Sequence, residues 1–441
     1  MAYIGKIPTV GNFQICDAIS VVNGQAAYTM QVGSANVIPE SANHMIVSLS
    51  GVIQKPGSSY TVSGSTITFS QNLVTGDVID FIQILGNVLD IGTPSDGTVT
   101  ESKIGSNAVT TNKLAYNPNP HRNIIINGDM SIAQRGTSTS SITSATYATV
   151  DRWRTVVTTL GTWTQSQSTD VPTGQGFAKS TKLDCTTADA SPAASDKLYF
   201  LQRFEGQNLQ YLEKGTSSAK SLTASFWVKS NKTGTYICEL LDNDNSDRHI
   251  NKSYTINSAN TWEKKTITFA GDTTGTLDND NNGSLFIQFW LGAGSTYTSG
   301  TLQTSWGAST NANRAVGQVN LADSTSNEWY ITGVQLEAGT TASDFEFLPH
   351  DANLNRCLRY FYFDDCDLQL VTGRVSDAFR VGYKQYPVPM RASPTFTVLT
   401  SNGELGNTSV SDTSQYAIRL QQSGSDGSVP RVLTYNFSAE L

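Results

Sequence analysis

Six residues, Asp278-Asn-Asp-Asn-Asn-Gly283, carry the sharpest chemical signal in the chain. Oxygen-bearing side chains alternate there and a glycine follows where a turn is tightest, as in the first half of a calcium loop. The bidentate glutamate of an EF-hand would fall on Phe289, inside an apolar run, so an EF-hand is excluded. What remains is a loop calcium held by Asp278, Asp280 and Asn282 with help from other loops, or a solvated hairpin loop built from favoured turn residues. Asp242-Asn-Asp-Asn-Ser-Asp247 is a weaker version without the glycine. Asp364-Asp365 and Asp242 with Asp244 are carboxylate pairs, but a glycosidase needs two carboxylates about 5 to 9.5 Å apart across a sugar bond. His44, His121, His249 and His350 are dispersed, and no nucleophile elbow, zinc helix, phosphate loop or dinucleotide glycine pattern occurs. The sequence therefore predicts binding rather than catalysis, with no certain cofactor and a structural calcium as the one candidate.

Sugar binding requires an exposed aromatic face for the C–H side of a pyranose, with amides and carboxylates for its hydroxyls. Four rings are candidates. Tyr297 and Trp306 lie in Ser/Gly/Thr-rich, loop-like sequence, whereas Trp227 and Trp290 fall on the more polar sides of strand patterns. Core or interface packing is the competing role for each, and the favoured one for Trp227 and Trp290, since aromatics bury the most surface.

The elements that must position these residues read as strands. Charged residues make up 15% of the 441, and Ser, Thr, Asn, Gln and Gly take their place. Such residues suit strands with polar outer faces and tight turns, and are poor helix formers. The net charge of −8, with no basic run, argues against nucleic acid. No run of eighteen apolar residues is present, so no spanning helix is expected, and Met-Ala-Tyr-Ile-Gly-Lys-Ile-Pro lacks the apolar core of a secretion signal. Cys16, Cys185, Cys238, Cys357 and Cys366 are odd in number and scattered, which predicts buried free thiols.

Residues 44–85 predict a small antiparallel unit with a pivot at Gly64 and a last strand whose Val78, Asp80, Ile82 and Ile84 share one face. Val99-Thr-Glu-Ser-Lys-Ile104 recurs ten residues on as Val109-Thr-Thr-Asn-Lys-Leu114. So few apolar groups bury themselves most economically against other copies around an axis, as an oligomeric stalk. From Asn123 to Pro349, Ile124-Ile-Ile reads as a buried strand, followed by strands near Leu222–Lys229, Gly234–Leu241, Trp262–Phe269, Ser284–Leu291 and Trp329–Leu336. That spacing predicts a two-sheet jelly roll. Leu354 and Leu358, four apart, mark a short helix before aromatic-rich strands.

Val47-Ser-Leu-Ser-Gly-Val, Tyr60-Thr-Val-Ser-Gly-Ser-Thr-Ile-Thr-Phe and Gly76-Asp-Val-Ile-Asp resemble a β module near the N-termini of phage tail fibres. Asn127-Gly-Asp-Met-Ser-Ile-Ala-Gln-Arg-Gly136 with Asp151-Arg-Trp153, then Ser225-Phe-Trp-Val-Lys229, Gly333-Val-Gln-Leu-Glu-Ala-Gly339, Phe345-Glu-Phe-Leu-Pro349 and Cys357-Leu-Arg-Tyr-Phe361, resemble bacteriophage tail-fibre proteins with a carbohydrate-binding-module-like sandwich. The resemblance implies an all-β chain in four parts: a virion-attachment β domain over 1–92, a stalk over 93–118, a jelly-roll β-sandwich over 119–349 and a C-terminal β tip over 350–441. It further implies a homotrimer in the phage tail, bound to a tail protein through 1–92 and to host surface polysaccharide or lipopolysaccharide through its distal parts, with no membrane insertion. A purely structural virion component (collar, head fibre or connector) and a polysaccharide depolymerase are the alternatives.

Overall fold

The computed structural model describes residues 13–85, 99, 104, 121–364, 368–369, 371–372, 379–402, 408–423 and 431–441. The chain forms two compact units, Met1–Thr110 and Thr111–Leu441. The stalk repeat lies outside the described residues apart from Val99 and Ile104, and so does Cys366. No described helix is long and apolar enough to cross a membrane.

In the first unit, a four-stranded sheet runs in the order Phe13–Ile15, Ile79–Leu85, Met45–Leu49, Val52–Ile53, and a three-stranded sheet in the order Gln25–Thr29, Thr66–Leu73, Tyr60–Ser63. The turn at Gly64 pivots as expected. The face assignment of the last strand does not hold. Ile79, Ile82 and Ile84 are the buried set and Val78 is exposed, because the pairing slips between Ser48↔Phe81 and Leu49↔Ile79 and leaves Asp80 as an extra residue. This β-bulge turns Asp80 outward, where its carboxylate accepts from Ser48 Oγ and Gly51 N at 2.7 Å each.

The second unit is built on a β-sandwich. Its six-stranded sheet has the order Ser138–Ile142, Thr162–Ser168, Ser180–Thr187, Glu328–Ala338, Leu222–Ser230, Glu263–Phe269. Its five-stranded sheet has the order Arg154–Thr158, Lys197–Glu205, Gly283–Ala293, Gly234–Asp242, Arg248–Ile256. Every pairing in both sheets is antiparallel. The core between them takes one side chain in two from each strand: Leu198 and Phe200 from one, Leu285, Ile287, Phe289 and Leu291 from another, and Phe226 and Val228 across the gap. This is the jelly-roll sandwich that the sequence predicts.

Residues 121–132 depart from the expectation. Ile124-Ile-Ile forms no strand. The segment instead plugs one end of the sandwich, where Ile126 N donates to Gln202 Oε1 and Gln202 Nε2 donates to Ile126 O, both at 2.8 Å. After the sandwich comes the helix His350–Leu358, which carries both leucines of that pattern. The strands Phe361–Asp364, Thr395–Asn402 and Arg431–Ser438 then enclose a small core around Tyr435 and Phe437. Cys16, Cys185, Cys238 and Cys357 are buried free thiols.

Candidate functional site

The motifs that carry the resemblance assemble into a buried anchor. Asn127 donates through Nδ2 to Ile132 O and Asp151 O, and Trp153 Nε1 donates to Asn127 O at 3.1 Å. Asn353, inside the helix, accepts from Asn127 N at 3.2 Å and donates to Asp129 Oδ1 and Ser131 Oγ at 3.1 Å each. Three segments that are far apart in sequence thus fix where the helix sits. Asp151 is fully buried, and burial pushes its carboxyl up to about 6 despite Arg135 and Gln134 beside it.

A cleft of about 440 Å³ opens between that helix and the end of the five-stranded sheet. The strand Lys197–Glu205 brings Arg203 and Glu205 to its wall, two residues apart and so on one face, while Phe204 points into the core. Two 3₁₀ turns follow, Gly206–Asn208 and Gln210–Leu212, which set Gln207, Asn208 and Tyr211 along the rim. Only glycine fits at 206, because a Cβ there would stand 1.9 Å from Asp278 O. Arg356 and Arg359 come from the helix and its C-cap, and His121 and Asn123 from the plug.

Electrostatically, the cleft divides in two. Arg359 donates to Glu205 through Nε at 2.8 Å and Nη2 at 2.7 Å, and the Tyr360 hydroxyl donates to Glu205 Oε1 at 2.5 Å. Burial works against the Glu205 charge, but these bonds outweigh it and hold the carboxyl below its usual range. Arg203 and Arg356 stand in no ion pair among the described residues. Arg203 lies 4.6 Å from the Phe286 ring with its buried Nε unpartnered, and Arg356 reaches only Asn123 O, at 3.4 Å. Burial lowers both guanidinium pKa values, yet a guanidinium keeps its proton. Tyr211 is half exposed and turns an aromatic ring to the opening.

None of the sugar-binding or calcium candidates that the sequence singles out lines this cleft. Trp290 is fully buried and donates to Glu239 at 2.7 Å, and Tyr297 packs against it at 5.4 Å from the short helix Ser295–Thr298. Neither offers a sugar platform. The loop expected to expose Tyr297 folds down onto the outer face of the five-stranded sheet and covers both rings, with Ile237 and Ala315. Trp306 is partly buried against the core and donates to Ala270 O at 2.7 Å. Trp227 is partly buried on the outer face of the six-stranded sheet, beside Lys264 and Thr332.

In the acidic loop, Asp280 accepts from Asn282 N and Nδ2, and Asp278 N donates to Asp244 Oδ2. The backbone carbonyls of Asp280 and Asn282 accept from Gln207 N at 2.9 Å and Gly206 N at 3.3 Å. Asp278, Asp280 and Asn282 therefore brace the turn at the rim of the cleft. No group of three or more His, Cys, Asp or Glu placed to hold a metal occurs among the described residues.

No protein-family model matches the chain, and no curated protein matches it. Among solved structures, an enzymatically active domain of tailspike protein 4 from bacteriophage CBA120 is similar over 50% of this chain and 22% of its own length, with 15% identity and a TM-score of 0.27. A carbohydrate-binding module, TmCBM61, solved with β-1,4-galactotriose, is similar over 49% of this chain and 99% of its own, with 11% identity and a TM-score of 0.26. The C-terminal family 22 carbohydrate-binding module of Clostridium thermocellum Xyn10B is similar over 47% of this chain and 98% of its own, with 11% identity and a TM-score of 0.24.

Proposed function

We propose that this chain is a bacteriophage tail-fibre adhesin and that the cleft at Arg203, Tyr211 and Arg356 holds a glycan of the host cell surface. The observation that carries the reading is the joint presence, in one open cleft of about 440 Å³, of the half-exposed Tyr211 ring and the amides of Gln207 and Asn208. A pyranose offers a C–H face and a rim of hydroxyls, and this lining supplies a partner for each. The binding is proposed to be without catalysis. Glu205 is the one carboxylate among the described lining residues, and Arg359 and Tyr360 keep it ionised, whereas hydrolysis calls for a pair of carboxylates.

The remaining parts of the proposal concern assembly. The chain works as a homotrimer, so that weak sites gain avidity, and residues 1–92 attach it to a tail protein of the virion. In that unit Phe13, Ile15, Val52 and Ile53 are all at least 60% exposed, an amount of open apolar surface that suits a docking partner.

The test is binding of the labelled full-length chain to a panel of bacterial strains, with each strain's own surface polysaccharide as competitor. Saturable binding to some strains, removed by the competitor and by Tyr211→Ala, is expected. A folded chain that binds no strain would overturn the reading.

A further inference from the structure

We infer that the cleft selects an anionic residue of its glycan, a sugar bearing a carboxylate or a phosphate, through Arg203 and Arg356; the inference rests on the glycan-binding reading above.

The charge balance of the lining is the first ground. Three guanidinium groups and one carboxylate line the cleft, and the carboxylate is taken up by Arg359. Two positive charges are left over in a chain whose net charge is −8. Leaving partly buried cations without counter-charges is costly, and a folded chain ordinarily supplies a carboxylate.

Carboxylates are in fact close at hand, and they are committed elsewhere. Glu346 accepts from the backbone N–H groups of His121 and Asn123. Glu440 pairs with Arg135 and Arg152. Glu346 is near enough to favour the Arg356 charge, but neither it nor Glu440 forms an ion pair with Arg203 or Arg356.

Donor geometry is the second ground. Arg203 holds a buried Nε without a partner, and its planar group is braced on one side by the Phe286 ring at 4.6 Å. Arg356 is fixed on the helix that Asn353 anchors, so its stem is pre-placed. A guanidinium fork matches the paired oxygens of carboxylate and phosphate alike. Tyr211 then carries the sugar ring, and the arginines read its charged substituent.

The test uses the full-length chain on an array of bacterial oligosaccharides that includes uronic-acid-bearing, phosphate-bearing and neutral members. Each acidic member is also presented after carboxyl reduction or phosphatase treatment. Acidic members are expected to be retained, and to lose about tenfold or more in affinity once neutralised. Whichever treatment abolishes binding names the anion. Arg203→Gln and Arg356→Gln, each checked by its melting curve, are expected to give the same loss on acidic members and little change on neutralised ones.

Equal retention before and after neutralisation would overturn the charge selection and leave glycan binding intact. Selection that survives both arginine substitutions would overturn the assignment to this cleft. Retention of no oligosaccharide at all would overturn the glycan reading itself, and this inference with it.

Discussion

Arg359 and Glu205 meet through two hydrogen bonds of 2.8 and 2.7 Å although 154 residues separate them, one at the end of a helix and the other at the end of a sandwich strand. Glu205 is wholly buried, while the Arg359 side chain keeps about a third of its surface in water. The pair joins the C-terminal part of the chain to the sandwich at the wall of the cleft. It also sets the charge balance there, since it neutralises one guanidinium and leaves two.

Glu205→Ala is expected to destabilise the second unit by about 2 to 4 kcal/mol, because it strands the Tyr360 hydroxyl and the inner side of Arg359. Water reaches Arg359, which keeps the loss below the full cost of breaking a buried pair. Urea unfolding followed by tryptophan fluorescence measures it. A loss below about 1 kcal/mol would show that the two elements are held by packing alone.

Asp151 gives a pH signature of opposite sign to that of an ordinary ion-paired acid. Burial raises its folded carboxyl to about 6, above the unfolded value of 3.8. Between those two values the folded state binds the proton and the unfolded state does not, so this group's contribution falls as pH rises. Its stabilisation is complete below pH 3.8 and is lost as pH climbs through about 6. Relative to Asp151→Asn, the wild-type chain is therefore expected to gain stability on acidification from about pH 7 to 4. Melting temperatures of the two proteins across that range test it, and parallel profiles would refute the raised value.

Much of the fold was legible because core-facing residues alternate along the strands that line the space between the sheets, as in Leu222, Ala224, Phe226 and Val228. Leu222–Ser230, Gly234–Asp242 and Glu328–Ala338 announce themselves by β-branched and aromatic residues. Thr162–Ser168 does not, since Ser, Thr and Gln fill its positions beside Trp163, and it is a strand because Ser180–Thr187 pairs with it. Lys197–Glu205 carries Tyr199 and Leu201 on its outer face, which hides the alternation. The Ile124-Ile-Ile run misleads for a related reason: its apolar residues are buried by plugging the sandwich, with Gln202 standing in for a neighbouring strand.

The site was far less legible. Arg203, Tyr211 and Arg356 carry no motif, and they meet only because Asn127, Asp129 and Ser131 hold the helix through Asn353. The sole trace in the sequence is the Cys357-Leu-Arg-Tyr-Phe361 run, which contains Arg359 and Tyr360 but says nothing of Glu205. Conversely, the acidic loop has the composition of a ligand site, yet its side chains and carbonyls hold the rim turn. Composition could not separate those roles, because Asp and Asn serve turns and ions with the same oxygens.

Gly128→Ala tests the anchor directly. A Cβ at this position would lie 2.1 Å from the Val334 carbonyl oxygen and 3.2 Å from Ile125 Cγ2, and the Gly128 carbonyl itself accepts from Val334 N at 2.9 Å. The strand Glu328–Ala338 or the Asn127–Asp129 turn has to move, and the turn carries the helix with it. A loss of about 3 kcal/mol is expected, at the upper end of overpacking effects. Glycan binding should weaken in the same variant, since Arg356 rides on that helix. A stable variant with full binding would show that the helix is placed by other contacts.

Trp290 and Tyr211 should separate stability from binding. Trp290→Phe removes an indole N–H that donates to Glu239 at 2.7 Å, but Arg314 still meets the same carboxylate at 2.8 and 3.1 Å. The acid is not stranded, so a modest cost of about 1 to 2 kcal/mol is expected, with glycan binding unchanged. Tyr211→Ala works the other way. Half of its surface already faces water, so its removal should cost under about 1 kcal/mol, while affinity falls about tenfold or more as the ring's platform is lost. Thermal melts and the glycan array read the two effects side by side. If Trp290→Phe were the variant that lost binding, the glycan would have to be seated on the outer face of the five-stranded sheet, beneath the loop that carries Tyr297.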